Sequence, residues 1–563
     1  MAVPLNEVIA TQTTAYLAGI DPANPPTPRT IESDLLARVN DQLEIENLAH
    51  HRKNQQPYLK TLNHFQISAV LMHLHNICRI APAGKNTDAD YDLVAMYMND
   101  GPDAGIYVTS EDTFRSIARQ YNNSLTTNEF REILAAIKDA APRKYRCQER
   151  DLIAVNNGVF DYEKKTLLPF TPDRVFLSKS RVDYVPGAPS PVIVHPVDKT
   201  SWEVEEWMKS LSDDPEVVEL LWEILGAIIR PHVRWNKSAW FYSVKGNNGK
   251  GTLCELMRNL CGPTSYASIP IADFGKDFLL EPLTRASAII VDENDVGTFI
   301  DRAANLKAVI TNDVISINRK FKTPIAYQFY GFMVQCLNEF PRIKDKSESF
   351  YRRQLFVPFE KNFEGIERRY IKSDYLSRPE VLQYVLHRVL HMDYYVLSEP
   401  EACVDVLDDY KGFNDPVRAF WAEHSELFVW DLLPFGFLYD LYKSWFSSNS
   451  PSGSPVGKHT FITDLINIID GDQTWYCTNR SLKVRPAQRM SDPEPLIAQY
   501  SLDAWMNPMA RGSNDINKKC LPMLAPNYTG ILRYASNPGI VGVIGDPDED
   551  AEGDRSDDAA GGA

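Results

Sequence analysis

Long uninterrupted apolar runs are missing from this 563-residue chain: the most apolar stretch, residues 217–233, is broken by Glu219, Glu223 and Arg230. No segment therefore reads as a membrane span, and the N-terminus lacks a basic region followed by a signal-type apolar segment. The expected location is a cytoplasm. Cysteine is sparse, with eight residues, no Cys-x-x-Cys and a closest pair at Cys254 and Cys261. That excludes a disulfide framework and the usual zinc spacings. His73 and His75, two apart in a helix-like apolar segment, read as packing or surface residues rather than metal ligands. Internal repeats are absent. An overall excess of positive charge is missing too: 59 Lys+Arg face 75 Asp+Glu, a formal net charge of −16. Taken whole, that balance argues against a nucleic-acid binder.

Sign is nevertheless segregated along the chain. Residues 319–353 hold eight basic against three acidic side chains, whereas residues 546–558 hold eight acidic against one basic. The Gly/Ala/Asp-rich end, 536–563, reads as a disordered acidic tail. With 44% hydrophobic residues, the rest is ample for three or four cored domains.

The most informative stretch runs from Ala239 to Thr252, an apolar strand breaking into Gly246-Asn247-Asn248-Gly249-Lys250-Gly251-Thr252 and then a helix over 253–260. Glycines let backbone amides approach phosphate oxygens, the helix N-terminus adds positive potential, and Lys250 would supply a point charge for the outer phosphates. The strict phosphate-loop pattern is met in part: Val244 takes the first glycine position and Gly251 the hydroxyl position, with Thr252 one residue later. Read alone, the segment is also compatible with an ordinary glycine-rich turn.

Downstream, Ala288-Ile289-Ile290-Val291 forms a short apolar strand ending in Asp292-Glu293. Beside a phosphate loop, Asp292 would hold Mg2+ and Glu293 would orient the attacking water; the plain reading is a buried strand capped by acidic loop residues. A third strand, 332–337, ends at Asn338, a polar tip able to sense a γ-phosphate. Arg352-Arg353 precedes a fourth strand, 354–359. Either arginine could reach a neighbouring subunit's nucleotide as an arginine finger, or the two form a solvated basic pair.

Loop, acidic strand, Lys320-Phe321, the Asn338 strand and Arg352-Arg353 follow one another in the order found in superfamily 3 helicases. The chain resembles the phage and plasmid branch related to the poxvirus primase-helicase, in which a Gly-Lys-Gly-Thr loop ending is a familiar variant. The resemblance covers about residues 105–469. It takes in Leu152–Asp161 and an acidic helix over 202–229 as an accessory region, and 437–445 with 458–461 as a C-terminal winged-helix segment. It implies an α/β fold with an AAA+-like P-loop core, ATP and Mg2+ as cofactors with Thr252 and Asp292 as metal ligands, and a homo-hexamer. The implied partners are single-stranded, replication-fork or origin DNA and a replication polymerase or primase, with no membrane.

In that family a hairpin contacts nucleic acid. Here, strands over 314–318 and 325–329 flank Arg319, Lys320, Phe321 and Lys322, cations to neutralise phosphates around a ring to stack or wedge; a charged turn is the plain alternative. The expected domains are a mostly helical region (1–100), an accessory domain (101–235), the ATPase core (236–365), a helical connector (366–404), a winged-helix-like domain (405–535) and the tail (536–563). The C-terminal aromatics Phe420, Trp421, Phe428, Trp430, Tyr439, Tyr442 and Trp445, at helical spacing, read as core. Primer synthesis is expected to be absent, because the one acidic cluster ahead of the accessory region, Asp88-Ala89-Asp90-Tyr91-Asp92, has no recognisable strand beneath it. The function these residues indicate is an ATP-dependent DNA helicase of phage or mobile-element replication. Two other readings remain: an ATPase that remodels or loads a replication partner, and a non-catalytic origin-binding protein.

Overall fold

The computed structural model describes residues 3–84, 87–320, 322–449, 454–510 and 512–534. Phe321 and the acidic tail, both singled out above, lie outside the described residues. The chain divides into two compact units, residues 1–408 and 409–563.

The first unit opens with α1 (Leu5–Leu17), α2 (Pro28–Leu48) and α3 (His64–Leu74). Thr27 caps α2 with Pro28 at the first helical position, and Asn63 with Gln66 forms a capping box on α3. The region is less purely helical than its sequence suggests. Strands β1 (Ile77–Ala81), β2 (Leu93–Tyr97), β3 (Tyr107–Val108) and β4 (Arg143–Tyr145) form a sheet in the order β3-β2-β1-β4, flanked in sequence by α4 (Glu111–Ala118) and α5 (Thr127–Ala140). The segment holding His73 and His75 is thus a helix end followed by a strand. The Asp88–Asp92 cluster does have a strand beside it, since it is a short turn running directly into β2. Asp92 is spent on structure there: its buried carboxylate takes both Nε and Nη2 of Arg143 at 2.8 Å.

An antiparallel sheet of β5 (Leu152–Val155), β6 (Gly158–Asp161) and β7 (Thr166–Leu168) follows, then a short pair, β8 (Ile193–Val194) and β9 (Ser201–Trp202). The single helix expected over 202–229 is instead two, α6 (Val204–Lys209) and α7 (Pro215–Ile229). The cause is local: Asp214 caps α7 through the Glu216 amide and Pro215 takes its first position, where proline suits a helix start and breaks an interior.

The centre of this unit is a five-stranded parallel sheet of β10 (Ser238–Tyr242), β11 (Tyr266–Ala267), β12 (Ala288–Val291), further strand β16 (Phe332–Leu337) and β18 (Gln354–Pro358), in the order β11-β12-β16-β10-β18. Between β12 and β18 the chain also forms β13 (Phe299–Ile300), paired with β17 (Arg342–Ile343), α9 (Ala304–Ile310), the hairpin β14 (Val314–Arg319) with β15 (Lys322–Gln328), and α10 (Glu348–Tyr351). Strands β12 and β16 are buried at every position, as expected of near-continuous apolar runs in a sheet covered on both faces, and the one polar residue among them, Gln335, is hydrogen-bonded. Helix α8 (Lys250–Cys261) contributes Leu253, Leu256, Met257 and Leu260, all fully buried, to the same core, each worth about 1.5–3 kcal/mol of transfer free energy. Helices α11 (Arg369–Ser373) and α12 (Pro379–His391) follow, and α13 (Glu401–Asn414) spans the division between the units.

The second unit holds α14 (Pro416–His424), α15 (Phe435–Asn449) and α16 (Lys458–Ile468) and an antiparallel sheet of β19 (Leu432–Pro434), β20 (Trp475–Tyr476) and β21 (Gly530–Arg533), with β21 central. The aromatics read as core are core: Phe420, Trp421, Phe428, Trp430, Tyr442 and Trp445 are buried together, with Tyr439 packed against them.

Candidate functional site

The loop after β10 sits at the carboxyl end of the parallel sheet, where successive connections leave β10 and β16 toward opposite sides. In open α/β sheets that is where ligands bind. Helix α8 begins at Lys250 itself, three residues earlier than its apolar pattern indicates, because Gly249 caps it in a left-handed conformation, φ 93°. Glycine is favoured at 249 by its φ, and a Cβ there would stand 2.6 Å from a terminal carbon of Leu211, which would have to shift. Gly246 is different, with nothing within 4 Å of its Cβ position, so the protein itself leaves that side of the loop open. Asn247 is also left-handed, at φ 53°. The buried side chain of Asn248 staples the loop, donating to the Lys245 carbonyl and accepting from the Lys250 amide.

Lys250 is 5% exposed and folds back across the strand ends. Its Nζ donates to the carbonyls of Ser243 at 3.2 Å and Leu337 at 3.1 Å and to Asn338 Oδ1 at 2.9 Å. Burial pushes its pKa down, because the ammonium has three neutral acceptors and no carboxylate to offset desolvation. A cation so placed is poised for an anion. The structure thus joins two residues chosen 88 positions apart, Lys250 and Asn338.

Asp292 and Glu293 lie just past β12, both exposed. Asp292 is not free: its Oδ1 meets Nη2 of Arg258, on α8, at 2.8 Å. Thr252 stands in the first turn of α8, its amide bonded to the Gly249 carbonyl. A hydroxyl and a carboxylate are the oxygen donors that Mg2+ accepts alongside phosphate oxygens and water, so the donor set fits that ion; Asp292 would have to leave Arg258 to serve it. Among the described residues no three His, Cys, Asp or Glu side chains come together as a metal site.

Sequence reasoning missed two residues here. Arg258 is one; an isolated arginine in an apolar helix was its signal. Asn294 is the other, directly after the acidic pair and 6% exposed. Its Nδ2 donates to Gln335 Oε1 at 3.0 Å and the Cys336 carbonyl at 3.1 Å, and its Oδ1 accepts from the Ile271 amide at 2.9 Å, pinning the acidic turn to β16.

Arg352 and Arg353 stand at the opposite, amino end of β18, which runs parallel to β10. Five to six residues at about 3.3 Å each put them roughly 16–20 Å from the carboxyl end, farther than one arginine side chain spans. Arg352 is exposed, whereas Arg353 is half-buried and donates to Ser349 Oγ at 2.8 Å and to the Ser349 carbonyl.

In the hairpin, Ile315, Ile317, Ile325 and Tyr327 point inward and Val314 and Ser316 outward, the alternation of a half-covered ribbon. Its base is clamped by Arg146, whose guanidinium donates to Tyr327 Oη at 2.8 Å and to the Pro82 and Gln328 carbonyls. Toward the tip, Arg319 donates to the Thr323 carbonyl, Lys320 is exposed, and Lys322 pairs with Glu111 at 2.8 Å.

These features define a mixed α/β protein with a buried lysine at the mouth of a parallel sheet. Residues 73–213 match a family model described as D5 N terminal like, residues 413–494 one described as Poxvirus D5 protein-like, and residues 241–353, which carry the site, a family of unknown function, DUF5906. The two D5-type matches fall on separate stretches of the chain, one on either side of the stretch that carries the site. Among solved structures, the apo NrS-1 C terminal region (305-718) is 13% identical with a TM-score of 0.41, covering 76% of this chain and 98% of that one. An A form of the same region is 13% identical with a TM-score of 0.42, covering 84% and 100%. Among the described residues no helix is long and apolar enough to cross a membrane.

Proposed function

We propose that the protein is an ATP-dependent DNA helicase of superfamily 3 type, serving phage or mobile-element replication and moving on single-stranded DNA as a ring. The observation that carries this reading is the buried Lys250 ammonium held by Asn338 at the mouth of β10 and β16, with Asp292 and Glu293 on the adjoining strand. The strand order, with the loop-bearing strand between the fourth and fifth, supports an AAA+-like P-loop core over 236–365.

In this reading the loop amides of residues 246–252 cradle the phosphates, and Lys250 exchanges its carbonyl partners for phosphate oxygens, relieving its desolvation. Thr252 and Asp292 would hold Mg2+, an ion whose chemistry there is to neutralise developing phosphate charge. Glu293 orients water, and Asn338, already on Lys250, senses whether the outer phosphate is present. Arg352 and Arg353 are too far along the sheet to serve their own site, so one acts on a neighbour's, an arrangement that a head-to-tail ring supplies at every interface; a hexamer is the proposed form. Of the two, exposed Arg352 has the freer reach. The Arg319–Lys322 hairpin, with Phe321, grips one DNA strand. Residues 101–235 serve as the accessory domain, 366–404 as a connector and 405–535 as a winged-helix-like duplex reader, with a polymerase or primase as replication partner. Primer synthesis lies outside this reading.

The test is ATP turnover by the purified chain and by Lys250→Ala. Turnover in the wild type that falls at least a hundredfold in the variant supports the nucleotide assignment; equal turnover removes it. The remodelling alternative draws on one observation, the engagement of Lys322 by Glu111, which occupies a cation the helicase reading assigns to DNA.

A further inference from the structure

The second unit carries a run of positive charge far from the loop and hairpin of the first. Residues 473–491, which lead out of β20, hold Arg480, Lys483, Arg485 and Arg489 and no acidic side chain. Two contacts fix where the run lies. The Arg480 guanidinium donates to the His459 carbonyl at 3.2 Å and to Thr463 Oγ1 at 2.8 Å, which pins it to the first turns of α16. Val484 then exchanges backbone hydrogen bonds with Tyr528 at 2.8 and 2.9 Å, just ahead of β21. Lys483 and Arg485 flank that pairing; two apart on an extended segment, they share a face. Both are exposed, as is Lys458 at the start of α16, and none of the three has an ion-pair partner among the described residues. The acids of this stretch are placed otherwise. Asp470 and Asp472 follow the far end of α16, Asp472 accepting from the Thr474 and Trp475 amides, and Asp464, half-buried, is the one acid on the helix itself.

Unpaired cations gathered on one face attract an anionic chain, and blocks of like charge often serve as interaction segments. Such a block is tethered to the same unit. Tyr534, directly after β21, still belongs to the sheet: its amide donates to the Thr474 carbonyl at 2.9 Å and its ring lies 4.5 Å from that of Tyr476. Arg480 follows Tyr476 by four residues, at most about 14 Å of chain. From Tyr534 to Asp546 the chain runs twelve residues, a reach of up to about 40 Å, and residues 546–558 then hold eight acidic side chains against one basic. The tether is therefore long enough to bring the acidic block to the basic face.

We propose that residues 546–558 dock on the face formed by Lys483, Arg485 and the start of α16, and that they compete there with nucleic-acid phosphates, an internal brake on binding by the second unit. Docking stands on charge and tether; the competition rests on the duplex-reading role proposed above for residues 405–535. A segment on a short tether has an effective concentration on the order of 1 mM, so a Kd of about 0.1 mM for the untethered segment corresponds to duplex binding weakened about tenfold.

The experiment uses the full chain with the eight acids of 546–558 changed to their amides, Asp→Asn and Glu→Gln. A labelled peptide of residues 546–558 is titrated into this amide-tail chain by fluorescence anisotropy. The titration is repeated with Lys483→Ala/Arg485→Ala added, and with Lys518→Ala/Lys519→Ala as a control of equal charge. The expected Kd is about 0.1 mM at low salt, rising as salt is added. Lys483→Ala/Arg485→Ala should weaken it at least fivefold and the control should leave it unchanged. Duplex DNA should bind the amide-tail chain about tenfold more tightly than the wild type. No peptide binding, or a loss in Lys483→Ala/Arg485→Ala no larger than in the control, overturns the docking, whether or not duplex uses the face. Peptide binding with equal duplex affinity in the wild-type and amide-tail chains overturns the competition. Peptide binding with no duplex bound by either chain upholds the docking and removes the duplex-reading role instead.

Discussion

Arg352 offers the sharpest mechanistic prediction, because its position makes it useless to its own subunit. The residue is exposed at the amino end of β18, while Lys250 closes the carboxyl end of the neighbouring strand β10. In the proposed ring each catalytic site would need Lys250 from one copy and Arg352 from the next. Arg352→Ala should lose about a thousandfold in turnover, as removal of such a finger does in nucleotide hydrolases, and Lys250→Ala should be as inactive. Mixed in equal amounts and allowed to exchange, the two dead variants should regain activity: a random ring places an intact lysine against an intact arginine at about a quarter of its interfaces. The assay is steady-state ATP turnover across mixing ratios, with a maximum at equal proportions. Mixtures as inactive as their components, in rings shown to have exchanged subunits, refute the in-trans arrangement. The same pairing with Arg353→Ala distinguishes the two arginines, and the Ser349 hydrogen bonds of Arg353 predict that its loss also lowers stability.

Two further outcomes follow from buried groups. Asn294→Leu leaves Gln335, the Cys336 carbonyl and the Ile271 amide without their partner, and should destabilise the first unit by on the order of 3–5 kcal/mol, read from urea denaturation. The imidazole of His232 is held neutral, since burial, helped by the Arg146 guanidinium, pushes its pKa down to about 3. The unfolded ring takes up a proton near pH 6.5, so its contribution to stability is lost as pH falls from 6.5 toward 3, at about 1.4 kcal/mol per pH unit. His232→Asn should flatten that part of the stability–pH curve; an unchanged slope contradicts the assignment.

Four of the five strands of the parallel sheet were legible because they are short apolar runs closed by a polar punctuation, Ser243, Asp292 and Asn338 among them, whereas the two-residue β11 is too short to leave such a pattern. The loop was legible because glycine, asparagine and lysine are each needed for a stated reason. Misreadings came where a local signal was overridden or had no sequence counterpart. The amphipathic pattern of 202–229 runs on across Asp214-Pro215, which hid the helix break. β1 was absorbed into the helix-like apolar segment that holds His73 and His75, and the polar Asp88–Asp92 turn masked β2. The Arg258–Asp292 pair and the Asn294–Gln335 contact join positions far apart in the chain, and spacing along a sequence carries no record of such meetings.

The central claim is that ATP turnover drives movement on one DNA strand through the β14–β15 hairpin. The direct measurement is ATP turnover with and without single-stranded DNA, paired with unwinding of a forked duplex, for the wild type and for Lys320→Ala/Lys322→Ala. The account predicts that DNA stimulates wild-type turnover and that the hairpin variant keeps basal hydrolysis but loses unwinding. Hydrolysis indifferent to DNA and no unwinding by the wild type would contradict it and favour the remodelling ATPase.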